Sequence, residues 1–199
     1  DDFDVASTKV NNLKLPSVTA KQKETQNTVR LRPLLENEIA RKLVSVEDFQ
    51  DRSTVTILGD GLFESGSAQI QDQYYPVLAR VSQALDSVEG QIVVTGYTDN
   101  QPIQSLNFPS NWHLSQARAD AVKEILLNYI KNGGARIRSE GRGSTDPVAP
   151  NDTLENRAKN RRVEITLFTT GTGPKLGSEV EVKTNTSTTQ PSSDVSTHQ

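Results

Sequence analysis

The sequence predicts an α+β fold: a mixed sheet with helices packed on one face, preceded by a helix and a β-hairpin. Three observations carry this expectation. Strand-like and helix-like apolar periods alternate along the chain, so strands and helices should interleave. Residues 33–168 hold 52 of the 66 hydrophobic residues and nine of the ten aromatics, so this stretch alone has the material for a core. The last run within it, Arg162–Phe168, alternates strictly between apolar and polar residues, as a half-buried strand does.

The elements follow in order. Pro33 opens a short helix, where its missing N–H has no helical partner to lose. Leu34, Leu35, Ile39 and Leu43 form its expected apolar stripe. Val44–Phe49 and Thr54–Leu58 read as a hairpin, and Gly59-Asp60-Gly61 ends it. A second helix is expected from Asp72 to Ser87, with Tyr74, Val77, Leu78, Val81, Leu85 and Val88 at helical spacing. Gln91–Tyr97 is a strand whose unbroken Ile92-Val93-Val94 suits a central position. A long loop over 98–110 leads to a third helix from Asn111 to Lys131, lined by Leu114, Ala117, Ala121, Ile125, Leu126 and Tyr129 and stopped by Gly133-Gly134. Arg136–Gly141 reads as a strand, Thr153–Asn160 as a short helix, and Arg162–Phe168 as the closing strand.

The flanks differ from this core. Residues 1–32 are mixed-charge and polar, and read as a linker. Residues 169–199 contain 13 Ser or Thr and no aromatic, and read as a disordered tail.

Composition narrows the function. The formal charge is −3 for the chain, and 33–168 alone is acidic, so a nucleic-acid footprint is not expected. No apolar run reaches the roughly 18–20 residues of a membrane span. Cysteine is absent, which excludes disulfides, thiolate metal sites and a cysteine nucleophile. Methionine is absent too, and with no signal peptide at the start the chain reads as a fragment excised from a longer protein. The two histidines, His113 and His198, stand far apart, and no spaced His/Asp/Glu set suggests a metal. Ser110 and Ser115 are helix-start residues with no partnered base. Neither an enzyme nor a cofactor is expected.

The polar residues of 95–118 are more informative. Asp99 sits at the carboxyl end of an apolar strand, where open sheets tend to bind ligands. Ser110 and Asn111 begin the next helix, whose free N–H groups can hold an anion. Arg118 lies two turns further on. A carboxylate facing a guanidinium across a groove is a receptor for a zwitterion, Asp99 taking an ammonium and Arg118 clamping a carboxylate. The alternative is an Asp99–Arg118 salt bridge with no ligand.

Three blocks occur in order: Gly96-Tyr97-Thr98-Asp99; Asn111-x-x-Leu114-Ser115-x-x-Arg118-Ala119-x-x-Val122; and Asn160-Arg161-Arg162-Val163-Glu164-Ile165. Together they resemble the OmpA-like peptidoglycan-binding domain (OmpA/MotB family) over about residues 55–168. The resemblance implies a β-α-β-α-β sandwich and binding of the diaminopimelate-containing stem peptide of the cell wall. It implies contacts from Asp99 and Arg118 to the amino and carboxylate ends of diaminopimelate, with Asn111 a further contact. Thr98, Leu114, Ser115 and Arg161 follow as secondary positions. Tyr97 stands where the first block often has His.

Phe63–Ala68 and Asn111–Ser115 are similar to the versions in flagellar stator MotB proteins and in long-form TssL (DotU-type) type VI secretion proteins. Asp99–Ile103 with Phe108–Ser115 is most similar to the TssL form. This implies a periplasmic domain of an inner-membrane protein, with peptidoglycan and other secretion-complex components as partners. Membrane contact would come only through a segment outside this chain, and residues 1–32 would be a periplasmic tether. A MotB-like stator anchor, or an OmpA-like interaction domain without wall binding, remains the alternative.

Overall fold

The structure, a computed structural model, describes residues 30–103 and 105–168. The tail expected over 169–199, and all but the last three residues of the linker, lie outside the described residues. Within that linker's end, Leu31 is fully buried and its N–H donates to Asp48 Oδ1 at 3.0 Å, so among the described residues the core includes Leu31.

Strands β1 (Ser45–Asp48), β2 (Arg52–Leu58), β3 (Gln91–Tyr97), β4 (Ile137–Gly141) and β5 (Arg162–Phe168) form one mixed sheet in the order β1-β2-β5-β3-β4. All neighbours are antiparallel except β3 and β4. That parallel pair needs a crossover, and the helix α4 (Asn111–Leu127) supplies it. The other helices are α1 (Glu36–Ala40), α2 (Gly59–Leu62), α3 (Tyr75–Asp86), α5 (Gly133–Arg136) and α6 (Leu154–Asn160), with 3-10 turns at Arg32–Leu34 and Asp72–Tyr74. Among the described residues no helix is long and apolar enough to cross a membrane.

Register explains the layering. Val55, Ile165 and Val94 share a row across β2, β5 and β3, and all three are buried in the core beneath α3 and α4. One residue along, Thr54, Thr166, Val93 and Arg138 line the opposite face, as the period of two requires. The helices therefore pack on one face of a mixed sheet, as expected.

Local expectations differ from the structure in three places. Leu34 is 41% exposed, because the 3-10 turn before α1 breaks the expected stripe, whereas Leu35 is fully buried. Gly59-Asp60-Gly61 ends β2 as expected, and does so by opening α2. Helix α4 stops at Leu127, so Tyr129 is 48% exposed. Asn132 then takes the left-handed conformation (φ 55°) that the two glycines were expected to supply, while Gly133 and Gly134 start α5. The buried face of α4 keeps the expected Leu114 and Leu126 but is partly rotated: it also carries Ser115, Arg118, Ala119 and Val122, with Ala117, Ala121 and Ile125 only half-buried.

Candidate functional site

The antiparallel pairing of β5 with both β2 and β3 brings three distant segments to one end of the sheet. Leu58 and Tyr97 both pair with Arg162, so the residues that follow β2 and β3 meet those that precede β5. Helix α4 runs back past this end. The result is a groove of about 490 Å³ whose charged lining residues are Asp60, Asp99, Arg118 and Arg161. Phe63, Thr98, Gln101, Asn111 and Leu114 also line it.

Asp99 is buried, and its two oxygens are held separately. Oδ1 accepts the Gln101 N–H at 2.9 Å, and Oδ2 accepts Arg161 Nη1 at 2.6 Å. Arg161 in turn forks onto Asp60, with Nε and Nη2 each 2.8 Å from one of its oxygens. This hydrogen bonding holds the Asp60 carboxyl below its usual pKa and pushes the Arg161 guanidinium above its own.

Arg118 is 6% exposed and touches no carboxylate within ion-pair distance among the described residues. Nε donates to the Ser67 carbonyl at 2.8 Å and Nη2 to that of Glu64 at 3.4 Å, and the guanidinium lies over the Phe63 ring at 4.8 Å. Burial lowers its pKa to about 10, which leaves it charged at neutral pH. The bare Asp99–Arg118 salt bridge is not formed: both side chains line the groove, and the ion pair of Asp99 is with Arg161, a secondary position in the sequence.

The remaining sequence-derived positions divide. Asn111 lines the groove, but its amide nitrogen donates to the carbonyls of Gln101 (2.9 Å) and Asp99 (3.4 Å), so it braces the loop that carries Asp99. Thr98 lines the groove and donates to the Asp99 carbonyl at 2.8 Å. Leu114 gives it an apolar wall. Ser115 does not line it. Its hydroxyl donates to the Trp112 carbonyl at 3.0 Å and accepts the Gly143 N–H at 2.9 Å, which ties α4 to the loop after β4. Tyr97 lies under the Arg162 guanidinium at 3.8 Å, outside the groove, and burial pushes its pKa up to about 12.

Sequence reading missed Asp60 and Phe63 as groove residues. Asp60 was hidden inside a glycine-flanked turn signal, and Phe63 was noted only as part of a subfamily motif.

Asn160 fixes the third segment. It is fully buried: Oδ1 accepts from the N–H groups of Val148 (2.8 Å) and Ala149 (3.0 Å), and Nδ2 donates to the Ala149 carbonyl (2.8 Å) and Asn151 Oδ1 (2.9 Å). Asn151 Oδ1 also accepts the Asn100 N–H at 3.3 Å, which links this loop to the one bearing Asp99. Asn160→Ala strands these partners and is expected to cost about 2–4 kcal/mol of stability, measured by urea unfolding.

His113 is exposed, with Nδ1 2.7 Å from Ser110 Oγ. Among the described residues no group of three or more His, Cys, Asp or Glu could hold a metal ion.

The fold defines an α+β module with a charged groove at one end of its sheet. The OmpA family model matches residues 62–161, and the chain belongs to the OmpA family. It is similar to the T6SS cell wall anchor from Pseudomonas aeruginosa, with 50% identity and a TM-score of 0.65 over 70% of this chain and 96% of that one. It is 35% identical to motility protein B of Bacillus subtilis over 69% of this chain and 51% of that protein. It is also 35% identical to the peptidoglycan-binding protein ArfA of Mycobacterium bovis, over 60% and 36% of the two chains. The chain thus spans about half, or less, of each of these two longer relatives.

Proposed function

We propose that the groove binds the diaminopimelate-containing stem peptide of peptidoglycan, without covalent chemistry, and anchors a type VI secretion membrane complex to the wall from the periplasm. One observation carries this reading: Arg118 is a buried guanidinium whose contacts among the described residues are carbonyls and a ring, in a groove that also presents Asp99. A buried charge with no counter-charge in contact is costly, so a ligand carboxylate would complete it. The 50% identity to a T6SS cell wall anchor, against 35% to a motility protein, supports secretion over a stator. A full-length protein that co-purifies with stator rather than secretion components would reverse that preference.

A hydrogen bond to a charged group contributes about 1.5–3 kcal/mol, so after the cost of association one stem peptide should bind with a Kd of roughly micromolar to millimolar. That is enough for an anchor, since several copies on one covalent mesh act together through effective concentration.

Purified sacculi should retain the protein, and free diaminopimelate should compete. Asp99→Asn should reduce retention about tenfold or more, with the fold intact by circular dichroism. Wild-type retention by this variant, unaffected by diaminopimelate, would refute the site.

A further inference from the structure

We infer that Asp60 is a positioning residue of the groove: it holds Arg161 and supplies the second negative charge that leaves Asp99 able to take a ligand ammonium. The inference rests on the zwitterion reading above and concerns how the site obtains its charge pattern.

Consider the groove without Asp60. Arg161 contacts Asp99 at 2.6 Å, and that pair alone is neutral. An incoming ammonium would then have to displace a guanidinium already seated on its carboxylate. With Asp60 present, two carboxylates share one guanidinium, and the trio carries one negative charge in excess. Arg118, lining the same groove, carries a positive charge that no carboxylate contacts. The groove therefore offers a negative trio and a separate guanidinium that Asp60 and Asp99 attract only from a distance, which is the pattern a bound ammonium and carboxylate would complete.

Asp60 also sets geometry. Its fork takes Nε and Nη2 of Arg161, so a different nitrogen, Nη1, reaches Asp99, and it reaches Oδ2. Oδ1 keeps one backbone donor, from Gln101, and a carboxylate oxygen has lone pairs for another. The fork is fixed at its base, because the Gly59 N–H donates to the Arg161 carbonyl at 2.7 Å. A Cβ on Gly59 would stand 3.1 Å from that same carbonyl oxygen and 3.5 Å from Arg118 Nη1. Backbone and side chain of this segment thus dock together on the start of β5.

The competing explanation is that Asp60–Arg161 only stitches the end of β2 to the start of β5. Asp60→Asn separates the two, since it keeps an acceptor for Arg161 but removes the charge. The experiment is an NMR titration of wild type, Asp60→Asn and Asp60→Glu with diaminopimelate and with its di-N-acetyl derivative, which keeps both carboxylates but no ammonium. Wild type should prefer the free amine. Asp60→Asn should weaken diaminopimelate binding about tenfold while changing the acetylated ligand less than about twofold, and Asp60→Glu should restore the preference. An Asp60→Asn variant that keeps the wild-type preference, or that loses both ligands alike with a lowered melting temperature, would overturn the inference. No preference in the wild type itself would instead overturn the zwitterion reading on which it stands.

Discussion

Arg118→Met is expected to abolish retention on sacculi while moving the thermal midpoint by less than about 5 °C. Two small opposing effects on stability stand against one large effect on binding. Folding buries the guanidinium with no carboxylate beside it, and the pKa lowered to about 10 says that the folded state disfavours the charged form. That cost is present in full at neutral pH and is relieved only as pH rises through about 10. Methionine removes it, fills similar volume and keeps a favourable sulfur contact with the Phe63 ring. Against this, the carbonyls of Ser67 and Glu64 lose their donors, at about 1 kcal/mol each where water does not replace them. Binding has no such compensation. A bidentate charge-assisted contact to a ligand carboxylate is lost outright, which is about 10- to 100-fold or more in affinity. Arg118→Lys should lie between, because an ammonium keeps the charge but cannot fork. Sedimentation with sacculi and a thermal melt on the same samples check both halves. Retention at the wild-type level by Arg118→Met would refute the role of this side chain.

The same residue shows what sequence reading could and could not reach. Asp99, Asn111 and Arg118 fall within one strand-loop-helix unit, so their proximity was legible from the end of an apolar strand and the start of the next helix. Asp60 and Arg161 are 101 residues apart, and only the register that pairs Leu58 with Arg162 brings them together. Nothing local in Gly59-Asp60-Gly61 says that its carboxylate faces a cation. The available signal was indirect: two adjacent arginines at the start of β5 need acceptors, and Asp60 follows a strand that could lie beside them. Helix α4 was misread in phase for a related reason. Ser115 and Arg118 are buried although polar, so a count of apolar residues shifts the apparent buried face away from them. The strands were easier, because Ile92-Val93-Val94 and the alternation of 162–168 answer to the core alone.

Gly96→Ala should lower the melting temperature by about 10 °C or more and weaken wall binding even in the fraction that stays folded. Gly96 of β3 pairs with Gly141 of β4, and together these two glycines form a flat seat for the first turns of α4. A Cβ on Gly96 would stand 2.2 Å from the Ser115 carbonyl oxygen, and one on Gly141 would stand 2.4 Å from the Gln116 nitrogen. Both obstacles are backbone, so no rotamer change relieves them. The helix must lift, at a cost of about 3 kcal/mol. Lifting it disturbs everything the seat aligns: Ser115 loses its grip on Gly143, Asn111 withdraws from the Asp99 loop, and Arg118 shifts relative to Asp99. Gly134→Ala is the internal control. Nothing lies within 4 Å of its added methyl, and its φ is not positive, so the variant should melt at or slightly above the wild-type temperature and bind normally. If Gly96→Ala melts and binds like Gly134→Ala, then α4 is free to move without disturbing the groove. The close packing of helix on strand would then not be what sets the distance between Asp99 and Arg118.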